Sequence, residues 1–428
     1  MHRHRALVLP GLVVAAAVVT LAAYGSTTKR DSTVTITFME AMSSGKQKPA
    51  LDLLTSRFER ANPGITVNLI AEPNYGVLQQ KEQASIAAGA PPTIAQAYEN
   101  WAAGYADAQA IIPLDGYVHG KSGITAAEQS AFWKGVWKDL YLPDGKIWMW
   151  PFNKSDYVVY YNADMLQKAG LAMPKTWVQY ATVAKQLTKN GNWAESMDTG
   201  TLSAPANGTY VYLSIVRAFG GTWVANGKPT LDTTAGIKAL GYLADLKKAG
   251  ALQIGTNYPG QTALGAGRSA FDLSTVAGYP YVLGAVGGKF SMKVAPMPSG
   301  RNGQGNSLQG TNIVIFSKSS TAERAAAWEY MKFLSEPRQT AYWAEATGYL
   351  PVTRAALPIM KGYIATHPYQ QIAAQSLQTA GGSPPYAWWT TAVGQVAQAM
   401  QAVLDNGGDP AHALATAQQK ALAAANGG

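Results

Sequence analysis

Between Val34 and Tyr98 the side-chain period switches back and forth, and this alternation restricts the fold more than any other feature of the chain. "VTITFM" (34–39) alternates apolar and polar residues with the period of a strand. "KPALDLLTSRFERAN" (48–62) instead sets Leu51, Leu54 and Phe58 on one helical face, with Arg57, Glu59 and Arg60 turned mostly away. "NPG" (62–64) stops that helix, and "ITVNLI" (65–70) alternates again. A helix over "GVLQQKEQASIAAG" (76–89) and a strand in "PPTIAQAY" (91–98) complete a βαβαβ unit. Such a unit opens a mostly parallel sheet covered by helices on both faces.

The same kind of pattern restarts at "KIWMWPFNKSDYVVYYN" (146–162), followed by "ADMLQKAGL" and a helix over "TWVQYATVAKQLTKNG" (176–191). Two similar α/β lobes joined by crossing strands are expected, which suits a chain of about 400 residues beyond its N-terminal segment. The C-terminal stretch (393–428) reads as two helices split at "NGGDP". There Asp409 caps the second helix and Pro410 takes its first position.

The N-terminal segment is of a different kind. "MHRHR" is cationic, and Ala6–Ala23 is apolar apart from Pro10, Gly11 and Thr20. With no polar face it does not read as an amphipathic core helix. It has the layout of an export signal over residues 1–30, long enough to span a bilayer if uncleaved. "LAAYGS" (21–26) has the form of a lipoprotein signal with Tyr24 where the lipid-bearing cysteine belongs. No comparable run follows, so the remainder is expected outside the cytoplasmic membrane.

Charge and composition narrow the chemistry. Four of the 34 basic residues (Arg3, Arg5, Lys29, Arg30) fall in that segment, leaving 30 against 25 acids. No Lys/Arg cluster is present to track a phosphate backbone, so no nucleic-acid partner is expected. Zero cysteines exclude disulfides and thiolate metal sites, and His119, His367 and His412 are too scattered for a zinc motif. "GAGRSA" (265–270) matches a dinucleotide fingerprint, but it precedes the apparent strand "AFDLS" instead of following one, so a turn is the better reading. "GKS" (120–122) lacks the earlier glycine of a phosphate loop. A glycosidase carboxylate pair leaves no sequence signature, so a secreted carbohydrate-active enzyme stays as the alternative of another class.

Four segments carry a family likeness: "FERANPGITV" (58–67), "IAAGAPPTIAQAYEN" (86–100), "PFNKSDYVVYYN" (151–162) and "TGYLPVTRAAL" (347–357). On these, the chain resembles the extracytoplasmic solute-binding proteins of sugar ABC importers, the maltose-binding-protein-like group. Within that group it is similar to the branch containing the glycerol-3-phosphate-binding proteins. The likeness runs from about Val34 to Leu422. It implies two doubly wound α/β lobes with a three-crossing hinge, the type II periplasmic-binding-protein-like fold. The crossings are expected near Trp150–Asn153, Leu308–Asn312 and Tyr349–Val352. Lobe one would hold 31–149 plus 312–349, and lobe two 150–311 plus 350–428. The implied function is capture of a sugar or short oligosaccharide between the lobes by a monomer that delivers it to the membrane permease. No catalysis, cofactor or metal is implied. Gram-positive members of the family are usually lipoproteins held by the modified cysteine; Tyr24 breaks that anchor, leaving the chain either held by its uncleaved segment or cut near Ala23 and released.

Motif positions carry over candidate ligand contacts. In lobe one these are Tyr75 and Glu99, with Glu40 and Ser43 on the first loop; a carboxylate makes charge-assisted hydrogen bonds to sugar hydroxyls. In lobe two they are Lys154 and Ser155, with Asn153 and Asp156 beside them, then Thr275 and Tyr279 from "FDLSTVAGYPYV" (271–282). Gly310 would bring a backbone N–H close, and Tyr349 lies in "TGYLP". Trp223 fits either core packing or the cleft wall. The main departure is at "GGSPPYAWWTTAVGQV" (381–396), where the phosphate binders carry an arginine and this chain has Tyr386, Trp388 and Trp389. Core packing would suit these tryptophans, but the family geometry favours Trp388 or Trp389 as a stacking platform for a pyranose. Losing a bidentate guanidinium argues against phosphate, so a receptor for glycerol-3-phosphate or a glycerophosphodiester is the second reading.

Overall fold

The computed structural model describes residues 33–188, 191–201 and 206–427. The apolar N-terminal run, Tyr24 and the proposed signal 1–30 lie outside the described residues. Among the described residues, no helix is long and apolar enough to cross a membrane.

The alternating segments pair as their patterns demand. Val34–Glu40 runs parallel to Ile65–Ala71 on one side (Val34 opposite Ile65) and to Ile94–Ala97 on the other (Phe38 opposite Ile94). Asn312–Ile315 and then Trp150–Pro151 extend this sheet antiparallel, giving five strands. Helix Gln47–Ala61 buries Leu51, Leu54 and Phe58, the stripe visible in the sequence, and ends at Asn62. Asn74 caps the next helix, Tyr75–Ala87, by accepting from the Val77 N–H at 3.0 Å.

The second sheet orders Met292–Pro296, Ser155–Asn162, Ser269–Thr275, Trp193–Met197 and Leu252–Ile254, with Leu308–Gln309 pairing beside Ser155–Asp156. It is mixed: the long strand Ser155–Asn162 enters from the hinge and runs antiparallel to both neighbours. "GAGRSA" does close a helix and turn into strand Ser269–Thr275, with Gly267 at φ 69°. At the C-terminus Asp409 caps helix Pro410–Asn426 through the His412 N–H (2.8 Å).

Two cores hold these layers. One gathers Ile36, Phe38, Leu54, Phe58, Trp150, Trp328 and Tyr330. The other gathers Val159, Trp177, Leu240, Phe271, Val396 and Met400. The passage into the second lobe after the third crossing comes later than residue 350. Val352 still accepts from the Trp133 N–H, and Ala356 and Met360 pack on Ala341 and Ala344 of helix Pro337–Thr347. Past that crossing, helix Tyr369–Ser376 packs on strands Met292–Pro296 and Ser155–Asn162 of the second sheet.

Candidate functional site

Three backbone segments lie side by side where the chain passes between the sheets. The Leu350 N–H donates to the Lys154 carbonyl at 2.8 Å on one flank of Asn153–Lys154. On the other flank sits Gly310, at φ +83°, where a Cβ would fall 1.8 Å from the Asn153 carbonyl oxygen. Only glycine permits both that conformation and that approach. Gly310 therefore draws two crossings together. Asn153 staples the same point: its Oδ1 accepts from Gln96 Nε2 (3.0 Å), the Thr311 N–H (3.1 Å) and Thr311 Oγ1 (2.6 Å). Its Nδ2 donates to the Tyr75 hydroxyl (2.7 Å), which in turn meets the Tyr349 hydroxyl at 3.2 Å.

Below these tyrosines lies a buried ionic cluster. Lys154 is 0 % exposed, and its Nζ reaches Asp139 Oδ2 at 2.6 Å and Glu99 Oε1 at 3.5 Å. Asn312 Nδ2 donates to Asp139 (3.0 Å) and Glu99 (3.4 Å). Burial and then the Asp139 charge push the Glu99 carboxyl well above the usual range, and Lys154 offsets this only in part. Burial also pushes Asp139 upward, but Lys154 and the hydrogen bonds from Glu99, Lys154 and Asn312 more than compensate, so it lies below the usual value. Burial and the neighbouring charge thus favour the neutral form of Glu99, whereas Lys154 favours the charged form of Asp139. Lys154, expected to touch ligand, has its ammonium held inside this cluster. Asp139 sits in no recognisable motif, and Asn312, though it ends the expected Leu308–Asn312 crossing, is not among the candidate contacts.

Above the floor the walls are tyrosine. Tyr98 packs edge-on between Tyr75 (5.4 Å) and Trp101 (5.0 Å), and its hydroxyl lies in electrostatic range of Tyr210, Tyr349, Glu99 and Tyr157. Tyr157 donates to Asn207 Oδ1 at 3.2 Å. Tyr349 also senses Tyr281 and Tyr258 from the second lobe. Tyr98, Tyr210, Tyr258 and Tyr281 have no hydrogen-bond partner for their hydroxyls among the described residues. Of the first-loop candidates, Glu40 is buried and accepts from the Met42 N–H, and burial pushes its carboxyl up to about 7. Ser43 is half-buried two residues before Gly45, where a Cβ would come 2.8 Å from the Tyr281 hydroxyl. The lobes therefore meet at that rim. At the opposite rim Asn100 Nδ2 donates to Thr390 Oγ1 at 2.6 Å.

The remaining second-lobe candidates divide. Ser155 is buried at the head of its strand; Asp156, next to it, is fully buried with both carboxyl oxygens unpartnered, and burial holds it well above the usual range. The Thr275 carbonyl accepts from the Tyr160 hydroxyl at 2.9 Å. Tyr279 stacks on Tyr369 at 3.8 Å, away from the rim, and Tyr281, two residues on, takes the place at the mouth.

The tryptophan pair also separates. Trp389 is 1 % exposed in the second core and stacks on buried Trp223 at 5.6 Å and 9°. Both are core residues, which corrects the expectation of Trp389 as a platform. Trp388 is half-buried and stacks on Tyr386 at 5.0 Å. The reason is helical geometry: adjacent residues at the start of helix Trp389–Leu404 point in different directions. This loop has a cation after all, supplied from far along the chain. The Arg217 guanidinium lies 3.9 Å over the Trp223 ring and donates to the carbonyls of Gly381 (2.7 Å), Gly382 (2.9 Å) and Asn306 (3.3 Å). Burial lowers its pKa to about 10.

Comparison with known proteins agrees with this architecture. Residues 54–371 match the family model described as bacterial extracellular solute-binding protein. The sn-glycerol-3-phosphate-binding periplasmic protein UgpB of Rhizobium meliloti is 24% identical over 348 residues, 79% of each chain. Among solved structures, UgpB of Mycobacterium tuberculosis in complex with glycerophosphocholine superposes with a TM-score of 0.79 at 20% identity, over 91% of this chain and 98% of that one. The cyclic α-maltosyl-1,6-maltose binding protein of Arthrobacter globiformis gives 0.78 at 20% identity, over 92% and 100%. Its two-lobed fold and the match across most of its length place the chain in the bacterial extracellular solute-binding protein family.

Proposed function

We propose that this protein captures a sugar or short oligosaccharide between its lobes and hands it to the permease of an ABC importer. It would act as an exported monomer, without catalysis, cofactor or metal. Export would leave it either anchored by its N-terminal segment or released, since Tyr24 offers no thiol for a lipid. The observation that carries the ligand class is the contrast between occupied cations and free hydroxyls. Lys154 is ion-paired beneath the cleft and Arg217 is committed to three backbone carbonyls, whereas the hydroxyls of Tyr98, Tyr210, Tyr258 and Tyr281 have no hydrogen-bond partner among the described residues. Aromatic faces with convergent hydroxyls suit the apolar faces and equatorial hydroxyls of a pyranose. Closure of one lobe on the other would bury the sugar and present a closed surface to the permease. The second reading, a receptor for glycerol-3-phosphate or a glycerophosphodiester, is favoured by the names of the relatives. It would require Arg217 or Lys154 to give up its present partners.

The test is a thermal-shift and calorimetric screen of glucose, maltose, maltotriose, glycerol-3-phosphate and glycerophosphocholine. A ligand at 100 times its dissociation constant adds ~2.7 kcal/mol to stability. A sugar should raise the unfolding midpoint and be recovered intact after long incubation. Stabilisation by the phosphates alone would establish the second reading, and sugar cleavage products would make the protein an enzyme.

A further inference from the structure

We propose that Tyr258 is a ligand-stacking side chain of the second lobe, held over the cleft by a strained loop; this rests on the sugar reading above. The loop leaves strand Leu252–Ile254 at its carboxyl end, the edge at which open α/β sheets bind ligands, and leads into helix Pro259–Gly265. Two successive residues other than glycine are left-handed there: Asn257 at φ 55° and Tyr258 at φ 58°, ψ 53°. Asparagine tolerates this conformation, but a bulky aromatic does not, and a residue before proline ordinarily takes extended backbone. The backbone is anchored on both sides of Tyr258: the Thr262 N–H donates to the Tyr258 carbonyl (3.1 Å), and two bonds fix the residues before it. The Gly255 N–H donates to the Met197 carbonyl (3.0 Å), and the Asn257 N–H donates to Asp198 Oδ2 (3.2 Å). Asp198 is itself held by the Gly200 N–H at 2.8 Å.

Strain of this kind is ordinarily offset by burial, and here it is not. Tyr258 is 68 % exposed, and its hydroxyl has no hydrogen-bond partner among the described residues. Its loop nevertheless sits at the carboxyl edge of the second sheet, and its hydroxyl lies within electrostatic range of Tyr157 and Tyr349. An exposed ring held at local cost beside the cleft tyrosines is a preorganised contact surface, and strained residues of this sort cluster at ligand clamps. The chemistry it suits is the apolar face of a sugar ring, with the phenol oxygen free for a ring hydroxyl.

The experiment compares Tyr258→Gly, Tyr258→Ala and Tyr258→Phe with wild type, by calorimetric titration against a panel of glucose, galactose, xylose, maltose and maltotriose. Val178→Ala, at a comparably exposed apolar site of the second lobe (78 % exposed), is the control. Tyr258→Gly should melt at or above the wild-type temperature without ligand, because glycine relieves the left-handed strain. It should bind the best sugar at least about tenfold more weakly. Tyr258→Phe should stay within about threefold of wild type if stacking dominates. Wild-type affinity in the glycine and alanine variants, with sugar binding intact in the parent, overturns the stacking role alone. A clear fall in ligand-free melting temperature for Tyr258→Gly marks a structural tyrosine and also overturns it. Failure of the wild type to bind any sugar on the panel defeats the sugar reading, and this inference with it.

Discussion

At the hinge floor, Asn153 is bonded at both ends of its amide and Lys154 bridges two carboxyls, whereas in the wall above it Tyr98 and Tyr210 present hydroxyls with no hydrogen-bond partner among the described residues. Both regions are polar and at least half-buried, yet they satisfy their polar groups differently. A buried group without a partner costs about 1–3 kcal/mol, so a fold avoids leaving one unless something else completes it. The floor groups complete each other and hold the crossings in register. The wall groups are left for a ligand or for solvent, so the floor is expected to govern stability and the wall affinity.

The largest expected effect breaks the floor. Lys154→Met removes the ammonium and leaves Asp139 charged, buried and short of its best partner. Losing one member of a buried ion pair costs about 3–5 kcal/mol, because the remaining charge stays uncompensated. Urea unfolding without ligand should show that loss. If instead the variant unfolds normally and binds sugar poorly, Lys154 belongs to the wall and the contrast between the regions is wrong.

The Glu99–Asp139 pair sharpens the boundary through pH. Glu99 has its folded pKa raised, so its contribution is fully present below the usual glutamate value and is lost as pH rises through the folded value. Asp139 has its folded pKa lowered, so its contribution is present above the usual aspartate value and is lost as pH falls through the folded one. Apo stability should therefore decline on the alkaline side with a slope of up to about 1.4 kcal/mol per pH unit from Glu99. Glu99→Gln keeps the shape and a donor but removes the titration, so its melting profile should be flatter from pH 5 upward. An unchanged slope would show that Glu99 is not the group whose titration sets it.

These contrasts also mark how far the sequence could be read. Period and punctuation were enough for the strands at 34–40 and 65–71, for the helix stripe Leu51–Leu54–Phe58 and for the Asp409 cap, because each depends on neighbours within a few residues. The "PFNKSD" segment led to the hinge, but not to the partners that decide what its side chains do. Lys154 is committed by Asp139 and Glu99, and Trp223 is fixed by Trp389 and Arg217, contacts that only the folded topology creates. Tyr281 lies two residues from Tyr279, the position chosen by motif, and of the chosen pair Trp388 and Trp389 only Trp388 is outside the core. A shift of one or two positions on a helix turns a side chain from the core to the rim, and motif matching does not resolve that rotation.

The smallest expected effect probes single wall hydroxyls. In Tyr98→Phe and Tyr210→Phe the rings and their packing remain, and only oxygens with no hydrogen-bond partner among the described residues are removed. Apo stability should move by no more than about 0.5 kcal/mol, since a change that disturbs neither packing nor a made hydrogen bond stays in that range. Affinity for the bound sugar should fall by about 0.5–1.5 kcal/mol for each hydroxyl used, or roughly 2- to 13-fold. Because the two tyrosines come from opposite lobes, the double variant should lose about the product of the single losses if each hydroxyl meets a separate sugar group. A loss much smaller than that product would mean both hydroxyls serve one ligand atom, which couples them through a shared partner. Titration calorimetry of the two single variants and the double variant measures this directly. If all three bind like wild type and melt like wild type, the unpaired hydroxyls are solvated surface, and the wall differs from the floor in exposure alone.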